Sequence, residues 1–165
     1  MRYFAKCTLL SLSLASTAMA QQSGKMANNA CTLEDGKEIS VRYVAKGSDG
    51  KKELPAAKIW MPGGQPIWLF TQVDLSIAGA TIPTGAYSLY IIPEKGHWTL
   101  IVNKNVKVDA AYDEAQDVAR VSMSVAEVSG ARQPFSLVFA HVAPKQCNLR
   151  IYYGKIGTWA EFKEM

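Results

Sequence analysis

Apolar and polar residues alternate in steps of two along most of this chain, and that rhythm constrains the fold more than any other feature. Ile39, Val41 and Tyr43 fall on one side of an extended segment, with Ser40 and Arg42 on the other. The alternation returns in Trp98, Leu100 and Val102 and in Ala119, Val121, Met123 and Val125, while Ala86 to Ile92 reads as a strand entered from the Pro83-Thr84-Gly85 turn. It continues through Phe135, Leu137 and Phe139, then Leu149, Ile151 and Tyr153. Successive side chains of a strand point to opposite faces, so a period of two marks strands with one wet face. Ile67 to Val73, Asp74 to Ile77 and Trp159 to Phe162 read as shorter strands. Gly47-Ser48-Asp49-Gly50, Pro62-Gly63-Gly64, Pro83-Thr84-Gly85 and Glu94-Lys95-Gly96-His97 supply turn chemistry between them. Val108 to Asp117 shows no sustained helical spacing and reads as loop. Without an amphipathic helix there is no crossover element for a parallel sheet. The pattern predicts an all-β protein of about eight or nine antiparallel strands, a two-sheet sandwich first and a barrel second.

The first twenty residues read as an export leader. Arg2 and Lys6 precede a Leu- and Ser-rich apolar stretch too short to span a bilayer, and Ala18-Met19-Ala20 matches a cleavage site. The expected organisation is a signal peptide over 1–20, a polar, flexible lead-in over 21–30 and one β-sandwich domain over 31–165. Gln21 rather than Cys follows the cleavage site, so no lipid anchor is expected, and no later apolar run approaches a membrane span. The expected location is the periplasm or the cell exterior. The leader holds two of the 18 basic residues, leaving 16 against 14 acidic ones, and the remaining Lys and Arg are scattered. Lys51-Lys52 is the one adjacent pair. A nucleic-acid footprint needs a massed basic face, which this sequence lacks.

Cys7 leaves with the leader, so Cys31 and Cys147 remain. An even count in an oxidising compartment favours a disulfide, which by the chain-entropy model contributes roughly 5 kcal/mol at most. The alternative is two unrelated small buried side chains. A lone Cys pair without nearby His does not suit a metal, and His97 and His141 have no second ligand at helical spacing. No cofactor is expected.

The stretch from Val73 through Lys104 reads Asp74, Leu75, Ile77, Gly79, Ile82-Pro83-Thr84-Gly85, Tyr87, Leu89-Tyr90, Ile92-Pro93, Trp98-Thr99, Ile101 and Asn103-Lys104. With Tyr112-Asp113 and Asp117 to Val121, and more weakly Ile39 to Tyr43, it resembles exported bacterial proteins grouped as domain of unknown function 2911. The matched positions are mostly turn residues and strand hydrophobics, so the resemblance implies a fold and is nearly silent on activity. Many relatives carry an Arg and an Asn-Glu pair after a tryptophan. Here Trp60 is followed by Met61, Pro62, Gly63, Gly64, Gln65 and Pro66, and Gln65 is the polar candidate left.

No catalytic constellation stands out. No Ser sits in a nucleophile elbow. Asp109, Asp113, Glu114 and Asp117 suit a solvated turn, with Arg120 a partner for Asp113 or Asp117. A calcium loop there would need ligands where Ala110, Ala111 and Ala115 stand. Trp68, Phe70 and Tyr90 fall opposite Leu69 and Leu89, so both faces of the central strands carry large side chains. A ligand or partner covers the surplus apolar face, or else it forms a second small core or lies beneath the Met61 to Gln65 connection. Exposed rings on a β-sheet suit sugar stacking. The reading is an exported, non-catalytic ligand-binding or structural module of the envelope, with Tyr43, Trp60, Gln65, Asn103 and Lys104 as candidate site and a small molecule, glycan or envelope protein as partner. The alternatives are a hydrolase of envelope polymers or glycans using Asp113, Asp117 and His141, and a subunit of a larger assembly.

Overall fold

Eleven antiparallel strands form where the alternation places them, in a computed structural model that describes residues 24–45, 53–108, 111–131 and 133–165. The leader, the Gly47 to Gly50 turn, Lys51-Lys52 and Asp109 lie outside the described residues. The strands are β1 (Lys25–Thr32), β2 (Glu38–Ala45), β3 (Ile67–Thr71), β4 (Leu75–Ile77), β5 (Ala80–Ile82) and β6 (Gly85–Pro93). They continue with β7 (His97–Asn103), β8 (Asp117–Glu127), β9 (Gln133–Ala143), β10 (Gln146–Gly154) and β11 (Ile156–Glu164). One hydrogen-bonded path runs β1-β2-β3-β6-β7-β8-β11-β10-β9, and the short β4-β5 hairpin attaches to β11. Among the described residues no helix is long and apolar enough to cross a membrane.

The path is a single sheet nearly closed into a barrel, the second architecture that the alternation allowed. The sandwich reading and the barrel differ at β8. Its residues Asp117 to Ser124 pair with β7, whereas Val125 to Glu127 pair with β11, so one strand turns the corner that would otherwise separate two sheets. On the opposite side β1 faces β9 without a ladder. There Asn29 Oδ1 accepts the Phe139 N–H, and the Tyr43 hydroxyl oxygen accepts the Leu137 N–H at 3.3 Å. Two donors of the β9 edge are thereby satisfied by side chains. The Cys31–Cys147 disulfide ties β1 to β10 across the same seam, with Cα atoms 6.4 Å apart.

β1 takes up most of the segment expected to be a flexible lead-in. Lys25 to Ala30 pair in register with Ala45 to Ser40, although only Cys31 of β1 is fully buried. Backbone hydrogen bonds to β2 hold this strand, so its side chains carry little alternation. The β6-β7 hairpin closes with Glu94 N–H donating to His97 O at 3.1 Å, and Gly96 takes the positive φ of 86° that the turn needs.

The barrel interior is filled. Ile39, Val41, Leu69, Leu89, Leu100, Val102, Leu149, Ile151 and Phe162 have no accessible surface. Trp60, from the segment between β2 and β3, makes an isolated bridge to Ile91 and lies edge-on to Trp98, Phe135 and Tyr153 at 5.6, 5.4 and 4.9 Å between ring centroids. A second, smaller core lies on the outer face. Tyr90 and Ile101, opposite each other on β6 and β7, are 1% and 0% exposed yet stand apart from the main cluster. The segment after β7 covers them, with Tyr112 edge-on to Tyr90 at 5.0 Å.

Candidate functional site

Register sets an outer row of Arg42, Trp68, Ser88, Asn103 and Asp117 across β2, β3, β6, β7 and β8. The polar members of this row anchor the covering segment. Asn103, fully buried, donates through Nδ2 to Asp113 O at 2.8 Å and Asp117 Oδ1 at 2.7 Å, and its Oδ1 accepts the Asn105 N–H at 2.9 Å. The Ser88 hydroxyl donates to Asn105 O, and Trp68 Nε1–H to Val106 O. Asp113 caps the 3₁₀ turn Glu114–Gln116 by accepting the Ala115 N–H. Tyr112 donates to Asp117 Oδ2 at 2.6 Å, and Arg120 donates to both that carboxylate and the Tyr112 oxygen. Burial, reinforced by the hydrogen bond to Asp117, pushes the Tyr112 phenol up to about 12. These groups hydrogen-bond one another and so fasten the segment to β7 and β8.

The residues expected to form a site therefore do not meet in one place. Tyr43 and Trp60 meet through Phe135 inside the barrel, Tyr43 edge-on to that ring at 5.6 Å. Asn103 builds the outer network, and Lys104 beside it is exposed, with its N–H donating to Gln116 O. Gln65 is half-buried in the connection before β3. Of the hydrolase candidates, Asp113 and Asp117 come together on Asn103, whereas His141 is exposed on β9. Among the described residues no group of three or more His, Cys, Asp or Glu side chains could hold a metal.

Of the rings on the outer face, Tyr90 is covered, Trp68 is half-buried, and Phe70 stays 39% exposed with the Arg42 guanidinium 5.9 Å from its centroid. A depression lies elsewhere, on the outer face where β8, β10 and β11 meet. It holds about 310 Å³, and Ala126, Val128, Tyr152 and Trp159 give it apolar walls while Asn148 and Arg150 give it a polar side. Trp159 is 43% exposed and also walls a second depression of about 240 Å³, lined by Ser122, Ser124 and Glu161. One indole is thus a ridge between two hollows. Gly157 shapes the first hollow: a Cβ there would come within 2.9 Å of Val128 Cγ2 and 3.4 Å of the Tyr152 ring. Without it, Tyr152 can lie close over β11.

Two features of Asn148 and Arg150 single out this hollow. Asn148 Oδ1 is buried without a hydrogen-bond partner, although buried polar atoms are nearly always paired. The Arg150 guanidinium makes no hydrogen bond or ion pair with any described residue. Sequence reading missed the hollow because Trp159 looked like one more hydrophobic of the closing strand. Its exposure depends on the register that sets it opposite Arg150.

Fold and surface together define a nearly closed antiparallel β-barrel with a packed interior and an external aromatic groove. The chain belongs to the family described as protein of unknown function (DUF2911), whose model matches residues 25–161. No curated protein and no solved structure matches it.

Proposed function

We propose that this chain is an exported, non-catalytic binding module whose ligand sits in the outer groove centred on Trp159. The leader pattern and the disulfide across the seam support export, because such bonds persist in oxidising compartments. The observation that carries the binding reading is Trp159 itself, a large indole left 43% exposed with a hollow on either side. An aromatic ring standing between two hollows offers a ligand an apolar surface with polar groups on either side. Among the described residues, the inward positions of the barrel carry large apolar side chains with little or no accessible surface. Two carboxylates and an arginine beside Tyr112 are committed to holding a connection, which favours binding over hydrolysis.

A thermal-shift screen of the mature protein against glycans, peptides and metal ions tests this reading, because a ligand of the native state raises apparent stability by mass action. A ligand that shifts the wild type and fails to shift Trp159→Ala supports it. A ligand that shifts both equally places binding elsewhere.

A further inference from the structure

We infer that the groove takes an acidic glycan of at least two sugar rings, its carboxylate on Arg150 and its rings flanking Trp159. The inference rests on the groove being the binding site and goes on to name the ligand class.

Charge is divided along the groove. Arg150 lies directly opposite Trp159 on neighbouring strands, in the first hollow, and Glu161 lies two residues past Trp159, in the second. An uncommitted guanidinium, with its planar fork of donors, suits a carboxylate. The second hollow presents Ser122, Ser124 and the Glu161 carboxylate, which accept from ligand hydroxyls. Between them the indole offers an apolar surface to the C–H side of a sugar ring. Asn148 adds an acceptor beside Arg150. Its terminal torsion is soft, so a rotation brings the unpaired Oδ1 out to meet a sugar hydroxyl.

A peptide fits less well. Peptides that bind β-sheets usually add a strand at an open edge, where backbone groups are unpaired. Around the first hollow β10 is paired on both sides and β11 is paired with β8 at Ile156 to Thr158, so that hollow lies on a laddered face. An extended peptide would find no backbone ladder there, whereas sugar hydroxyls need only side chains. The size agrees too: hollows of about 310 and 240 Å³ on either side of one indole suit short saccharides rather than a bulky partner.

Calorimetric titration of the mature protein with a tetramer of uronic acid, a neutral glucose tetramer and an acidic peptide tests the inference, repeated on Arg150→Gln and Trp159→Ala. Both side chains are exposed, so both variants should fold, and far-UV circular dichroism checks that they do. The expected result is binding of the uronic tetramer that weakens roughly tenfold or more in Arg150→Gln, as for loss of a charged hydrogen bond, and disappears in Trp159→Ala. The neutral tetramer should bind more weakly and ignore Arg150→Gln. Equal affinity for the two tetramers, or peptide binding that alone depends on Trp159, overturns the ligand class and leaves the groove standing. Uronic binding that survives Trp159→Ala, or no binding of any probe, overturns the inference, and the first of these overturns the groove as well.

Discussion

The Asp117 carboxylate holds Asn103 and Tyr112 at once, through Oδ1 at 2.7 Å and Oδ2 at 2.6 Å, and thereby fastens the segment after β7 over Tyr90 and Ile101. Asp117→Ala leaves buried Asn103 without one acceptor, takes away the acceptor of the Tyr112 hydroxyl, and leaves Arg120 with Tyr112 and Glu114 alone. The expected cost is about 3 kcal/mol, the range for breaking a buried charged network. Tyr112→Phe removes a single hydroxyl and should cost about 1 kcal/mol. Urea denaturation of the two variants measures the difference.

The same network makes stability fall in alkali. Burial first and the Asp117 hydrogen bond second raise the Tyr112 phenol to about 12, and burial also raises Tyr90. The folded state therefore holds these protons more tightly than the unfolded chain, whose phenols titrate near 10. The contribution is full below about pH 10 and is lost as pH climbs from there toward 12. Unfolding free energy measured over that window should decline more steeply in the wild type than in Tyr112→Phe. Parallel slopes would show that the phenol does not titrate with folding.

Reducing the Cys31–Cys147 bond should loosen the β1-β9 seam before the rest of the barrel. Loss of the crosslink costs about 2–5 kcal/mol in domains of this kind. Hydrogen exchange should show the Leu137 and Phe139 amides, held by Tyr43 and Asn29, losing protection ahead of the β6-β7 ladder. Uniform loss of protection across all strands would place the bond's effect on the whole fold instead.

Gly157→Ala tests how the groove is shaped. The new methyl would meet Val128 and the Tyr152 ring, so one of them must move. Overpacking of this kind costs about 1–3 kcal/mol. Displacement of Tyr152 should weaken ligand binding more than the change in melting temperature suggests, a comparison that titration and thermal denaturation provide together.

The strands that bury one face were legible because period two survives wherever one side meets the core. β2 reads correctly from Ile39, Val41 and Tyr43, and the β6-β7 hairpin from Glu94-Lys95-Gly96. β1 was hidden, since Lys25 to Ala30 contributes backbone pairing and almost no buried side chain. The corner at β8 was equally invisible, because a strand that changes neighbours keeps its alternation. Large residues on both faces of β6 did point to something covering Tyr90, which proved to be the chain's own Tyr112. The groove escaped notice because it needs β8, distant in sequence, beside the β10-β11 hairpin, and because the hairpin register decides that Trp159 stands opposite Arg150.

The four indole N–H resonances of Trp60, Trp68, Trp98 and Trp159 give the most direct test of the binding surface. Titrating the mature protein with the uronic tetramer while recording nitrogen-proton correlation spectra should move the Trp159 resonance and leave those of buried Trp98 and core-packed Trp60 in place. Movement at Trp68 or Trp60 with Trp159 stationary would contradict the account and shift the site to another face of the barrel.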